Sequence, residues 1–164
     1  MDFLGAQIDE ALDAHLYYLA VVCALTMPDI CSALESEDGT TTKAKYQSWC
    51  DTWLMASYPR LSTADLYSMR CGVVHQGKLG HPDLQYSHIL FTLPRPNAVV
   101  YHNNITQDAL NLDLETFCRD MVDSVHRWYD QAKNAPYVKA NLPHIVRLYP
   151  KGLPPYFVGV PLIS

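Results

Sequence analysis

Leu4, Ile8, Leu12, His15, Leu19 and Val22 recur at steps of three and four, while Glu10 and Asp13 fall on the other side. That is the period of a helix with one buried face, and it predicts a first long helix from about Asp2 to Thr26. Pro28 cannot continue such a helix but suits the first turn of another, so a short second helix is expected over Met27–Leu34. Asp38-Gly39 marks a turn. Helical spacing resumes from about Thr42 to Ser57, where Tyr46, Trp49, Cys50, Trp53 and Leu54 form a stripe suited to a core rather than to stacking on bases. Tyr58-Pro59 ends it. Ser62-Thr-Ala-Asp65 reads as a helix start, a hydroxyl cap followed three residues later by an acid. The helix it opens carries Leu66, Met69, Arg70, Val73 and Val74, with Gly77 and Gly80 as stops.

The period then changes. His88–Leu93 and Ala98–Asn103 are rich in β-branched and aromatic residues and are separated by Pro94-Arg-Pro-Asn97, which predicts a β-hairpin at about 88–104. Two strands alone are marginal, so the hairpin has to lean on the helices. Asn111 or Asp113 opens a long helix whose stripe is Leu114, Phe117, Met121, Val125, Trp128 and Ala132. A weaker helix over Tyr137–Leu148 is interrupted by Pro143. The tail Pro150–Ser164 is apolar yet studded with Pro and Gly, and is expected to be extended, packed on the body or on a partner. No repeat or linker appears. The pattern as a whole predicts one mainly α domain over 1–164, four to five helices with a small hairpin insertion and an extended C-terminal tail.

Composition agrees with a chain that buries a core: 164 residues, 49% of them hydrophobic. No run approaches the roughly 20 uninterrupted apolar residues of a membrane span, so no membrane partner is expected. The opening Met1-Asp-Phe-Leu-Gly-Ala-Gln-Ile-Asp-Glu10 carries acid where a secretory leader carries Lys or Arg, and a cytoplasmic protein is expected. The five cysteines (Cys23, Cys31, Cys50, Cys71, Cys118) are scattered and form no CxxC pair, which suggests small buried apolar residues rather than disulfides or a zinc knuckle. Charge is uneven. The first 42 residues hold eight acids and no Lys or Arg, within a net charge of −5. Indiscriminate nucleic-acid binding needs a broad cationic surface, so only a localised anion site is compatible with this balance.

One segment concentrates candidate chemistry. In Leu66-Tyr-Ser-Met-Arg-Cys-Gly-Val-Val-His-Gln-Gly77, a permanent cation, Arg70, precedes a titratable imidazole, His75. The pairing suits phosphodiester chemistry, the cation steadying a phosphate while the imidazole moves protons. Five positions on an ideal helix turn about 140°, so the two share a face only if the helix ends or distorts between them, which Gly72 permits. His75, His81 and His88 recur every seven residues, but Pro82 and the change to strand break any helical register, and neither a metal site nor a cofactor is expected. No phosphate-binding glycine loop or nucleophile elbow is present.

Arg70 and His75, separated by Cys71, Gly72, Val73 and Val74, resemble the signature of the HEPN superfamily, an Arg followed a few positions later by His. The helical body and the upstream Tyr67 resemble it too. Pro28-Asp-Ile-Cys-Ser-Ala-Leu34, Tyr46-Gln-Ser-Trp49 and Gly152-Leu-Pro-Pro-Tyr156 look like small bacterial proteins of this kind. The resemblance implies a HEPN-like helical bundle and a metal-independent endoribonuclease, a toxin or defence element without cofactor. It also implies a homodimer in which both Arg70 and both His75 line one cleft, with RNA or a nucleotide as ligand and an antitoxin protein as a further partner. Arg70 and His75 are then catalytic, and Tyr67, Cys71, Gln76 and Lys78 are the substrate contacts. The alternative implied is a non-catalytic module that binds nucleotide, RNA or protein through the same cleft. Cys71 departs from the pattern: catalytic members carry a polar residue directly after the Arg, and a thiol is a poor hydrogen-bond donor.

Overall fold

Five helices of eleven or more residues and one short one make up most of the described chain: α1 (Asp2–Asp13), α2 (Tyr17–Leu34), α3 (Lys43–Trp53), α4 (Thr63–Gln76), α5 (Leu114–Ala132) and α6 (Pro136–Asn141). The computed structural model describes residues 1–79, 85–95 and 99–164. The helices surround one core in which Tyr46, Phe117 and Trp128 are fully buried with Ile8, Leu25, Leu66 and Met69. The mainly helical expectation holds at this level.

The long first helix is in fact two. His15 takes a left-handed conformation (φ 58°), and Leu16 N–H donates back to the Ala11 carbonyl, closing α1 before α2 begins. Histidine tolerates that region better than most residues. The apolar stripe read from the sequence does not survive the turn: His15 and Leu19 are exposed, and α2 buries Ala20, Val21, Ala24 and Leu25 instead. Pro28 does not start a helix either; it lies inside α2 and is buried. The missing N–H and ring crowding cost about 3 kcal/mol. Burial of α2 along Ala20, Val21, Ala24, Leu25 and Met27 offsets this, and Tyr46 donates its hydroxyl to the Leu25 carbonyl (3.0 Å) beside the interrupted ladder. By length and composition alone α2 is apolar enough to cross a membrane; here half of it is buried in the protein.

The predicted 88–104 hairpin is not formed. Strand β1 (His88–Thr92) runs parallel to β3 (Ala109–Asp113), and β2 (Asn104–Thr106) pairs antiparallel with β3, giving the order β1-β3-β2. The true hairpin is β2–β3, turned at Gln107, which has φ 56°. Strand propensity records a fit to a half-buried pleated surface. Leu110 and Leu112 find such a surface and are fully buried, whereas Val99, Val100 and Tyr101 stay exposed and unpaired as strand. Residues 96–98 of the predicted loop and second strand lie outside the described residues. Asp113 caps α5 by accepting from Thr116 N–H (2.9 Å), as expected from the sequence. The last predicted helix stops at Asn141 and gives way to a 3-10 turn (Leu142–His144) around Pro143. Beyond it β4 (Leu148–Tyr149) and β5 (Leu162–Ile163) form a small antiparallel ladder, and the tail between them exposes Tyr156 and Val158.

Candidate functional site

Helix α4 positions the Arg70–His75 segment, and its first turn is pinned at both ends of a capping box. Ser62 Oγ accepts from Asp65 N–H (3.0 Å) while Asp65 Oδ2 accepts from Ser62 N–H (3.1 Å). The other oxygen of Asp65, a residue almost wholly buried, accepts from Gln85 N–H (3.1 Å), so the start of α4 is tied to the segment entering β1. Leu66, Met69 and Val73 turn into the core, leaving Tyr67, Arg70, Cys71, Val74 and His75 toward the surface. At the far end Gly77 adopts φ 64°, the left-handed geometry that stops a helix cleanly.

The helix neither ends nor breaks between Arg70 and His75, contrary to the geometric expectation. The long Arg side chain spans the offset instead, and Nη1 lies 3.4 Å from His75 Nε2. A guanidinium N–H can only donate, so this contact needs Nε2 as acceptor, and a neutral ring then carries its proton on Nδ1. The other edge of the guanidinium is held by a residue from a different helix: Arg70 Nε donates to Asp29 Oδ2 at 2.6 Å. The side chains of Arg70 and Asp29 are only 20% and 13% exposed, which makes this the most enclosed ion pair among the described residues. Burial raises the Asp29 carboxyl above its ordinary range, and the hydrogen bond and charge of Arg70, with the charge of His75, hold it back. Burial works most strongly against the Arg70 cation, but the hydrogen bonds and charges of Asp29 and Cys71 together outweigh it and raise its pKa.

Around this pair the structure gathers part of the expected set. Cys71 Sγ is 3.9 Å from Arg70 Nη1, half-buried, and takes up a guanidinium donor instead of facing open solvent. The guanidinium carbon lies 5.9 Å from the centre of the Tyr67 ring. Burial, followed by a hydrogen bond with Cys71, raises the Tyr67 hydroxyl above its usual range. Gln76 and Lys78 are exposed at the helix end, and no hydrogen bond among the described residues joins their side chains to Arg70 or His75. His81 lies outside the described residues.

Three neighbours escape a reading of the local motif. Asp29 is 41 positions from Arg70, yet it is the only charged residue in the eighteen of α2. A lone charge in an apolar helix needs a partner, and that was the available signal. Lys43, the first residue of α3, places Nζ 5.5 Å from the Tyr67 ring centre. Tyr18 donates its hydroxyl to the Val73 carbonyl (3.2 Å) while remaining half exposed, so that it borders the His75 end of α4 with the exposed Val74. Neither Lys43 nor Tyr18 carries a sequence signal of its own.

Among the described residues, Arg70 and His75 line none of four cavities, and the contact between them is exposed. A cavity of about 1180 Å³ lies elsewhere, between β1, the segment after it and the start of α5. Of its charged groups, Asp113 caps α5 and Arg119 pairs with Glu115 at 2.9 Å, and Arg95 also lines it. Comparison of the chain with protein-family models, with curated proteins and with solved structures found no match.

Proposed function

We propose that the chain is a HEPN-like, metal-independent endoribonuclease of the cytoplasm, a toxin or defence element acting at a cleft shared by two copies. The carrying observation is the 3.4 Å approach of Arg70 Nη1 to His75 Nε2 on a guanidinium anchored by Asp29. When a substrate phosphate draws Arg70 Nη1 away from His75, the Nε2 lone pair is released and takes the proton of a ribose 2′-hydroxyl. The 2′-oxygen then attacks phosphorus, the bond to the 5′-oxygen breaks, and a cyclic 2′,3′-phosphate is left. The imidazole of the second copy, starting protonated, gives its proton to the departing 5′-oxygen, so that one ring gains the proton the other loses. Arg70 stabilises the charge building on the phosphate oxygens, and because Asp29 fixes the guanidinium beforehand, little reorganisation is required. The open placement of the pair supports a shared cleft, since a second surface is needed to exclude water from it. Tyr18 and Val74 offer apolar contact beside His75. An antitoxin protein that covers this face belongs to the same reading.

A second reading, a non-catalytic HEPN-like module binding RNA, nucleotide or protein at the same face, is favoured by Cys71. Its thiol sits against Arg70, where catalytic members of the superfamily carry a stronger hydrogen-bonding group. Cleavage of single-stranded RNA in EDTA separates the two. The enzyme reading expects cleavage by the wild type and a loss of about 10² to 10⁴-fold in His75→Ala. A pure wild type that binds RNA without cutting it establishes the second reading instead.

A further inference from the structure

We infer that Lys43 and Tyr67 form a second phosphate-binding subsite beside Arg70, so that the site takes a polynucleotide strand rather than a single nucleotide. This rests on the Arg70–His75 reading and goes beyond the motif, because Lys43 belongs to a different helix. The two cations flank one aromatic ring, Lys43 Nζ at 5.5 Å and the Arg70 guanidinium at 5.9 Å from its centre. The ring is itself immobilised: Tyr67 packs edge-on against Tyr46 (5.4 Å between centres), which is fully buried and bonded to the Leu25 carbonyl. Both cations therefore lie within 6 Å of one anchored ring.

The electrostatics around Lys43 leave its charge unspent. Lys43 is the first residue of α3, where the helix dipole disfavours a cation, and the first turn of α3 contains no acid. The neighbouring Lys45 is compensated by Asp38 (3.6 Å) and the Thr40 carbonyl. Lys43 is exposed and has no carboxylate partner among the described residues. Arg70, by contrast, is already half neutralised by Asp29. A phosphate at Arg70 and the next one along the strand at Lys43 satisfy both, in a protein whose net charge of −5 repels polyanions elsewhere. Lys43 is the phosphate contact and Tyr67 the positioning residue.

The test measures binding of a short single-stranded RNA and of a nucleoside monophosphate over a range of salt concentrations, in the His75→Ala background so that the strand survives. Each phosphate contact on a single strand contributes about 0.7 to the slope of log affinity against log salt. Adding Lys43→Met is expected to lower the magnitude of that slope by about 0.7 for the oligonucleotide and to leave the monophosphate unaffected. Lys45→Met, whose charge is already paired, is the control with little change. Tyr67→Leu is expected to weaken the oligonucleotide with the slope retained. If Arg70→Met abolishes binding while Lys43→Met leaves the slope intact, the subsite is refuted and the Arg70 site stands. If Arg70→Met leaves binding unchanged, or the wild type binds no RNA, the reading of the whole site fails and this subsite with it.

Discussion

Asp29 shows how one carboxylate sets the character of the site. It occupies Arg70 Nε and thereby aims Nη1 at His75, and it also carries a stability signature. Its carboxyl is raised by burial and restrained by Arg70. In Arg70→Met the restraint is gone, so the folded-state pKa moves further above the unfolded value. The folded protein then binds the Asp29 proton more tightly than the unfolded chain does, and stability falls as pH rises from the unfolded value through the folded one. Arg70→Met is therefore expected to lose about 2 kcal/mol relative to wild type at neutral pH, and clearly less near pH 4. Adding Asp29→Asn is expected to remove that pH dependence. Denaturant unfolding at the two pH values checks this; an equal loss at both would show that the carboxylate is not held by the guanidinium. Arg70 and His75 were legible because one short stretch of sequence contains both. Asp29 and Lys43 were not, since their proximity depends on how α2 and α3 pack on α4.

At the scale of elements, α4 is the best specified piece of the chain, and its boundaries were visible beforehand at Ser62, Asp65 and Gly77. Ser62→Ala removes the acceptor of Asp65 N–H and leaves a buried carboxylate with one partner fewer, and is expected to cost about 1 kcal/mol. Gly77→Ala meets no steric obstacle among the described residues, none of which lies within 4 Å of the added methyl, so the left-handed backbone sets its cost, about 1 kcal/mol. Because the two ends are far apart on the helix and share no partner, the double variant should show the sum of the two losses. Calorimetric or denaturant midpoints measure this, and a neutral Gly77→Ala would mean that the turn relaxes to another geometry. The elements misread were those whose local signals were ambiguous. His15 in its left-handed turn divides α1 from α2 and shifts the buried face from Ile8 and Leu12 to Ala20, Val21 and Ala24. Pro28 obeys the packing of α2 rather than its own preference.

For the molecule as a whole, the decisive property is whether the Arg70–His75 face works alone. The pair lies open on the surface of one copy, so a composite cleft predicts poisoning. When wild-type chains are refolded together with a growing excess of His75→Ala chains, RNA cleavage per wild-type chain should fall. Constant activity would place the complete site within one copy, and a protein that sediments only as a monomer would contradict a shared cleft outright. The tail is tethered by the β4–β5 ladder and by Arg147, which donates to the Leu142 carbonyl.

Local chemistry was enough to establish that this chain is mainly helical, where α4 and α5 begin, and which short segment carries a cation beside an imidazole. Capping, apolar periodicity and residue type act over a few positions and leave their mark in order along the chain. Packing settled the rest. Leu110 and Leu112, not Val99 and Val100, became strand because they alone found a surface to bury against. Pro28 stayed inside a helix because the core around α2 offset its cost. The Arg70–His75 pair became an anchored site because Asp29 arrived from a helix 41 positions away, and long-range contacts of that kind are decided by which surfaces exclude water together.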